Sequence, residues 1–188
     1  MLYIDDEINS FNLEEALMDI SHQRREQALK FRHEQGQRLC VAAYLLLKQG
    51  LALEYGICDN PELSCYEGGK PFIVGHPEIH FNFSHCREAA VCVVSDRRVG
   101  VDVESISRYK ESLARYTMNC AEMECIVGSR YPDIEFTRLW TMKEAKLKLT
   151  GEGIRNDLKS VLTGDEQFRQ IINVAKGYVV SYITDVIK

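Results

Sequence analysis

The segment VGVDVE at residues 99–104 places two acidic side chains in a strongly apolar strand pattern. Side chains two residues apart leave the same face of a β-strand, so Asp102 and Glu104 share one face while Val101 and Val103 point into a core. Two carboxylates on one face repel each other unless a cation lies between them. A hard divalent ion with oxygen ligands removes that cost. A strand end that runs into solvent, with both acids hydrated, explains the same pattern, and the pattern alone leaves both interpretations open.

A second segment, WTMKEAKLKLTGEG at residues 140–153, predicts an amphipathic helix that ends at a glycine. Trp140, Glu144 and Lys148 recur at i, i+4 and i+8 and therefore line one side of the helix. Gly151 follows the last turn, where a left-handed cap is common. Another side of the helix is apolar and consists of Leu139, Met142, Ala145 and Leu149.

Glu144 has two less specific interpretations. Thr141 and Glu144 fit the capping-box pattern, which would put Glu144 at a helix start. Phe136 extends the apolar periodicity upstream, however, so we predict that the helix starts at Thr137 and that Glu144 lies inside it. Glu144 and Lys148 could also form an ordinary surface ion pair, which stabilises a protein little.

The composition excludes several classes of protein. The chain has 188 residues, of which 45% are hydrophobic and 27% charged, an ordinary globular mixture for one large or two small domains. A net charge of −5 argues against a general nucleic-acid binder. No apolar run approaches the length of a membrane span, and the acidic start MLYIDDEIN does not look like a signal peptide. Seven cysteines at irregular spacing indicate reduced thiols, so we expect a cytoplasmic protein.

The order strand, helices, strands occurs twice along the chain. In the first half we predict a strand at 2–4, helices capped by Asn12 and Ser21, and a core helix at 39–47 that Gly36 precedes and Gly50 ends. We expect the segment from Leu63 to Glu104 to form an antiparallel meander with a hairpin turn at Gly68 and Gly69. In the second half we predict a helix at 111–116, a capping box at Asn119 and Glu122, a strand at 159–161, and a closing hairpin of residues 168–174 and 177–183.

The chain is therefore predicted to have an α+β fold of two pseudo-symmetric halves, residues 1–99 and 100–188. In each half, helices would pack on a small, mostly antiparallel sheet. Both motifs would meet at the seam near Gly100, where an active site is expected.

Four motifs together resemble the 4'-phosphopantetheinyl transferase family, in particular its longer, surfactin-synthetase-activating type. They are GKPF at 69–72, FNFSH at 81–85, GVDVE at 100–104 and WTMKEAKLK at 140–148. The resemblance implies transfer of phosphopantetheine from coenzyme A to a serine of an apo acyl or peptidyl carrier protein, with release of 3',5'-ADP. It also implies an α+β fold of two pseudo-symmetric halves, and two halves in one chain suggest a monomer.

The resemblance assigns roles to residues of both motifs. Asp102, Glu104 and Glu144 would hold Mg²⁺, with Mn²⁺ as a possible substitute, on the pyrophosphate. Glu144 would accept the proton of the carrier serine, directly or through a water molecule. Lys148 would neutralise the phosphate that stays with the leaving nucleotide. The implied coenzyme A contacts are Arg24, Arg38, Lys70, Ser84, His85, Asp102, Lys143 and Lys148.

The chain departs from the family pattern in three places. Gln27 stands where a second basic residue is common on the first basic helix. Thr117 and Met118 stand where two phenylalanines are common, and the segment after Gly153 is short. Two other classes remain open: a metal-dependent nucleotide or phosphate enzyme without a carrier partner, and a non-catalytic coenzyme A-binding module.

Overall fold

A computed structural model describes residues 1–151 and 157–185 of the chain. The first half contains two short helices, one long helix and five strands: β1 (Leu2–Asp5), α1 (Leu13–Asp19), α2 (His22–Leu29), α3 (Glu34–Tyr55), β2 (Leu63–Cys65), β3 (Pro71–Ile73), β4 (His80–His85) and β5 (Ala90–Ser95). The described part of the second half contains β6 (Val99–Ser105), α4 (Glu111–Thr117), α5 (Cys120–Gly128), α6 (Pro132–Thr150), β7 (Arg169–Asn173) and β8 (Tyr178–Thr184). Short 3₁₀ turns lie at Ile106–Arg108 and Leu158–Ser160.

Two antiparallel three-stranded sheets have corresponding strand orders. The first sheet has the order β1-β5-β4 and the second has the order β6-β8-β7, so in each the first strand of the half pairs with the last one. The α+β class is thereby confirmed, while pseudo-symmetry in the geometric sense stays a prediction. The expected meander from Leu63 to Glu104 is wrong. β2 and β3 form a separate hairpin, and β6 pairs with β8 rather than with β5.

The two sheets pack against each other and carry one long helix each on their outer faces. Side chains of α3 pack on Ala90, Cys92 and Val94 of β5. Ala145 and Leu149 of α6 pack against β8. Between the sheets lies an apolar core in which β5 and β6 meet, comprising among others Val91, Val93, Val99, Val101 and Val103. The alternation of β6 thus places its valines in this core and its acids on the face toward α6.

Helix α3 is longer than the sequence pattern suggests. It runs through Gly36 and Gly50 and ends at Gly56, whose φ of 68° is the left-handed cap. A Cβ atom on Gly50 would lie 2.7 Å from a methyl group of Val94 and 2.8 Å from the ring of Tyr3. This glycine therefore permits close contact between helix and sheet rather than ending the helix.

Other boundaries differ by a few residues. Helix α6 begins at Pro132, which occupies its first turn, so its start lies upstream of Thr137 and Glu144 is well inside the helix. The capping box of Asn119 and Glu122 is confirmed. The strand expected at 159–161 is wrong, because this stretch contains a 3₁₀ turn. Gly153, the last residue of the second motif, lies outside the described residues.

Candidate active site

Strands β4 and β6 are edge strands, and their edges meet where the two halves join. The backbone N–H of Val101 donates to the side-chain oxygen of Asn82 at 2.9 Å. The backbone carbonyl of Val99 accepts from the ammonium of Lys70 at 2.8 Å. Side chains of the first half thus satisfy edge groups of β6 that no neighbouring strand satisfies. This seam is fixed by specific polar contacts as well as by the valine core.

Helix α6 lies directly on β6 at Gly100. A Cβ atom there would stand 1.9 Å from the carbonyl oxygen of Ala145 and 2.5 Å from the amide nitrogen of Leu149. Only glycine therefore allows the backbone of α6 to approach this strand. The close approach brings Lys148 to the face of β6 that carries Asp102.

Lys148, Asp102 and Ser84 form a small polar cluster across the seam. The Lys148 ammonium donates to Oδ1 of Asp102 at 2.7 Å and to the hydroxyl of Ser84 at 2.9 Å. The Ser84 hydroxyl in turn donates to the same Asp102 oxygen at 2.8 Å. Asp102 is buried, whereas Lys148 is partly exposed. The cluster joins β4 of the first half to β6 and α6 of the second.

The other two predicted acids lie within electrostatic range of this cluster. The pKa of Glu144 is raised by burial and by the negative charge of Asp102, and Lys148 opposes the increase. The pKa of Glu104 is raised mainly by burial, although the Arg108 guanidinium, 2.9 Å from one of its oxygens, opposes the increase. Asp102 contributes to the raised pKa of both glutamates, and this marks a site short of positive charge.

The three acids do not yet form a coordination site. Within residues 1–151 and 157–185, no three Asp, Glu, His or Cys side chains are gathered closely enough to hold a metal ion. Asp102 bonds with Lys148 and Glu104 with Arg108, so joint coordination would require these side chains to rotate.

A cleft of about 350 Å³ opens beside the cluster. Its walls are the β2–β3 hairpin, strand β4 and the last turns of α6. Glu144, Lys148 and Asn82 supply its polar lining, and Pro71, Phe83 and Leu147 contribute apolar surface. The hairpin tip touches the end of α6, since a Cβ atom on Gly68 would lie 2.3 Å from the carbonyl oxygen of Gly151.

A second hollow continues from this cleft past Pro71 and Phe83 to helix α2, where Arg24 and Gln27 line it. Arg24 does not lie on an exposed face of α2. Its side chain is buried, donates to the carbonyl of Cys40 through two nitrogens, and stacks 4.8 Å from the centre of the Phe83 ring. Its remaining Nη1 bond goes to the side-chain oxygen of Gln27 at 3.1 Å.

His85 lies within electrostatic range of both Arg24 and Lys148. Its pKa is lowered first by partial desolvation and then by the positive charges of Arg24 and Lys148. Because the residue keeps an exposed surface, the two charges are the more informative cause. Arg24 and Lys148 therefore form a run of positive potential that leads from α2 past His85 to Asp102, and His85, with its lowered pKa, adds no charge to this run near pH 7.

Two other predicted coenzyme A contacts, Arg38 and Lys70, have partners within the protein. Arg38 donates to Glu34 and to the carbonyl of Phe11, each at 2.8 Å. Lys70 lines the cleft, but its ammonium lies on the backbone carbonyls of Val99 and Leu149.

The structure places Lys143 away from the cluster and thereby corrects its expected position. Its side chain is 1% exposed and forms an ion pair of 2.8 Å with Glu122 of α5. It also donates to the carbonyl of Leu158 at 2.7 Å. Adjacent positions on a helix point about 100° apart, and Lys143 points into the α5–α6 interface whereas Glu144 faces the cleft.

Sequence reasoning missed two residues that shape the site. Asn82 alternates with Ser84 in the FNFSH motif, and this spacing could have placed both on the face toward β6. Arg98, which donates to the carbonyls of Leu149 and Thr150, gives no sequence signal because it stands in a turn before β6. None of the described helices is both long and apolar enough to cross a membrane.

The sequence of the chain is similar to known proteins of one family. Residues 98–183 match the sequence model of the 4'-phosphopantetheinyl transferase superfamily. The chain is 27% identical over 164 residues to a 4'-phosphopantetheinyl transferase of Bacillus subtilis, a match that covers 85% of this chain and 72% of the relative. It is 29% identical to 4'-phosphopantetheinyl transferase psf-1 of Bacillus pumilus, over 84% and 69% of the two chains. It is 30% identical to 4'-phosphopantetheinyl transferase HetI of Nostoc sp., over 76% and 64%.

Proposed function

The chain belongs to the 4'-phosphopantetheinyl transferase superfamily, and we propose that it transfers the 4'-phosphopantetheine group from coenzyme A to a serine of an apo carrier protein. The nucleotide product would be 3',5'-ADP. The observation that carries this proposal is the cluster of Lys148, Asp102 and Ser84, which lies beside Glu144 at the open cleft. Transfer of a phosphoryl-type group depends mainly on positioning and on neutralisation of charge, and this cluster supplies both.

The donor chemistry of the acids fits Mg²⁺, with Mn²⁺ as the alternative. Asp102, Glu104 and Glu144 offer only carboxylate oxygens, the ligands that this hard cation prefers. The raised pKa values of Glu104 and Glu144 support the need for a further positive charge among them. When bound, the ion would neutralise charge on the pyrophosphate of coenzyme A.

Lys148 would bind the phosphate that remains with the leaving nucleotide. Its ammonium already lies at the seam, bonded to Asp102 and Ser84. In the complex it would exchange part of this pairing for the phosphate, on which negative charge grows as the bond breaks. Ser84 would hold the released carboxylate of Asp102 through its hydroxyl.

Glu144 would remove the proton from the carrier serine, directly or through a water molecule. It lines the cleft in the middle of α6, which fixes its backbone, and its raised pKa makes it a better proton acceptor than an ordinary carboxylate. A base must still be ionised at working pH, which the opposing charge of Lys148 favours.

The adenylate phosphates of coenzyme A would lie along the run from Lys148 through His85 to Arg24. The hollow beside Arg24 adjoins the main cleft, and its apolar wall at Pro71 and Phe83 suits a purine base. Arg38 stays a predicted contact. Lys143 would not contact coenzyme A, because its side chain is buried against Glu122.

Other properties of the molecule stay predictions. An apo acyl or peptidyl carrier protein is the expected partner, and a cytoplasmic monomer is the expected state. All seven cysteines are free thiols, which suits a reducing compartment. The domain division into residues 1–99 and 100–188 also stays a prediction.

Intact-protein mass spectrometry tests the proposal. The chain is incubated with coenzyme A, Mg²⁺ and an apo carrier protein, and the carrier is expected to gain the mass of phosphopantetheine. A matched carrier whose acceptor serine is replaced by alanine should gain nothing. Binding of coenzyme A without any gain on several carriers would instead favour a binding module. Hydrolysis of coenzyme A or a nucleotide without transfer would favour another metal-dependent phosphate enzyme.

A further inference from the structure

Lys70 lies where three parts of the cleft wall come together. It belongs to the turn before β3, and its ammonium donates to the carbonyl of Val99 at the start of β6 and to that of Leu149 at the end of α6. The two distances are 2.8 and 3.0 Å. Hairpin, strand and helix are thus held by one side chain.

The backbone carbonyls at the end of α6 need hydrogen-bond donors from outside the helix. The last four carbonyls of a helix have no partner within it, and Leu149 and Thr150 are among them. Arg98 donates to both of these carbonyls at 3.1 Å, and Lys70 adds a second bond to Leu149. Cations are favoured at this end by the helix dipole as well. The two basic side chains therefore form a cap on α6 that comes from outside the helix.

The capped residues are neighbours of the reacting groups. Leu149 follows Lys148 directly, and Val99 lies three residues before Asp102. Holding both carbonyls fixes the end of α6 relative to β6 at the place where Lys148 meets Asp102. A small shift of either element would change the distance between the two charged groups.

We propose that Lys70 is a positioning residue: its ammonium clamps the end of α6 to the start of β6, so that Lys148 and Asp102 are held in working geometry. This inference rests on the proposed transfer reaction for its kinetic consequence, but not for the clamp itself. It also assigns Lys70 a role different from direct phosphate binding. An ammonium has three N–H donors, and two of them are already directed at backbone carbonyls.

The burial and the charged surroundings of Lys70 are consistent with a specific contact. Burial, and after it the nearby charge of Arg98, lower the pKa of Lys70 to about 8. A lysine partly removed from water beside another cation is unfavourable for stability alone. Its retention in the cleft wall is explained if the contact serves the site.

The test compares Lys70→Met, which keeps the apolar stem, with Lys70→Arg, which restores a charged donor. Lys48→Met is the matched control, because Lys48 also donates to a carbonyl at a helix end, that of Asp19 at the end of α1. Steady-state kinetics give kcat and the KM for coenzyme A. Hydrogen exchange of residues 99–102 and 147–151 in the free protein reports the clamp without reference to activity.

For Lys70→Met we expect kcat to fall about tenfold, the scale of one charged hydrogen bond, while KM for coenzyme A changes less than about twofold. Exchange in the last turn of α6 should become faster, Lys70→Arg should recover most of both effects, and Lys48→Met should resemble the wild type. A raised KM with unchanged kcat would overturn the inference in favour of a phosphate contact. Unchanged exchange at residues 147–151 would overturn the clamp.

Failure of the proposed function and failure of Lys70→Met to fold can each be distinguished from failure of the clamp. If the wild type transfers nothing to any carrier, the proposed function fails, and the exchange result still decides on the clamp. If Lys70→Met does not fold, Lys70→Gln, which keeps an amide donor, is measured in the same way and must show an intermediate loss of kcat and intermediate exchange.

Discussion

The ammonium of Lys148 lies 2.7 Å from Oδ1 of Asp102, so two residues 46 positions apart in sequence form an ion pair at the seam between the halves. The pair depends on the absence of a side chain at Gly100, which lets α6 approach β6. Each half supplies part of the surroundings, since Ser84 comes from the first half and Asp102 from the second. The geometry of this ion pair is therefore sensitive to how the halves are joined.

Asp102→Asn is expected to remain folded and to lose roughly 10²–10³-fold in kcat, the scale for one electrostatic group at a reacting centre. Asparagine keeps the shape and can still accept from Ser84, but it no longer pairs with Lys148 or offers a charged metal ligand. Transfer to an apo carrier measures the effect, and melting temperature checks folding. Asp96→Asn, in an exposed turn, is the control and should be fully active. Full activity of the wild type in excess EDTA would contradict the metal part of this prediction.

Glu144→Gln is expected to lower kcat by roughly 10²–10⁴-fold, the usual contribution of a general base. Glutamine keeps the size and a neutral oxygen ligand but does not accept the proton, so coenzyme A binding should change much less. A single-turnover assay saturated in coenzyme A and Mg²⁺ gives the rate. Glu135→Gln is the matched control on the same helix, because Glu135 pairs with Arg138 instead. A wild-type rate for Glu144→Gln would place the base elsewhere.

The strand position of Asp102 and the helical position of Glu144 could be predicted from sequence because each depends on local spacing. Alternation put Asp102 on the face opposite the valines, and the periodicity of residues 136–149 put Glu144 inside a helix. Both features depend only on the spacing of side chains along one element. In the structure Asp102 lies in β6 and Glu144 lies inside α6, as this spacing predicts.

The remaining features depend on contacts between elements. Gly50 resembles a helix stop in sequence, and only the positions of Val94 and Tyr3 show that it serves close packing. In sequence Arg24 resembles an exposed residue and Lys143 a phosphate contact, yet the carbonyl of Cys40 and the carboxylate of Glu122 bind them inside the protein. The pairing of β6 with β8 instead of β5 likewise depends on contacts between residues far apart in sequence. No pattern within one segment contains these partners.

Arg24→Gln is expected to raise the KM for coenzyme A roughly tenfold, the effect of one lost charged hydrogen bond of about 1.5 kcal/mol. It should also lower stability, because the buried guanidinium bonds to Cys40. Dephospho-coenzyme A should bind the wild type less well than coenzyme A, and the variant should discriminate less between the two. Arg25→Gln is the control, since Arg25 points to α1 and donates to Met18. Equal affinity of the wild type for both forms would contradict a phosphate contact in this hollow.

Gly100→Ala is expected to destabilise the protein by about 3 kcal/mol or more, the upper end for an overpacked site. The added Cβ would lie 1.9 Å from the Ala145 carbonyl, and helix backbone does not move aside as a flexible side chain would. Gly128→Ala is the matched control, because a Cβ atom there meets no atom within 4 Å. That variant should keep its stability or gain up to about 1 kcal/mol from helix propensity. Urea unfolding of both variants measures the difference, and equal stability would contradict close packing of α6 on β6.

Stability should depend on pH through Lys70. Its folded-state pKa of about 8 lies below the ordinary value of 10.5, so between these values the unfolded chain binds more protons than the folded one. The free energy of unfolding contributed by Lys70 should therefore rise as pH increases from 8 toward 10.5, and the cost of its buried charge should be fully present below pH 8. Burial and then Arg98 lower the pKa of Lys70, and Asp185 opposes them, while His80, whose pKa is itself lowered, is neutral throughout this range. Urea unfolding at several pH values is compared for the wild type and Lys70→Arg. Because arginine stays charged in this range, the stability difference between the two proteins should grow with pH, and a constant difference would show that Lys70 titrates as an ordinary lysine.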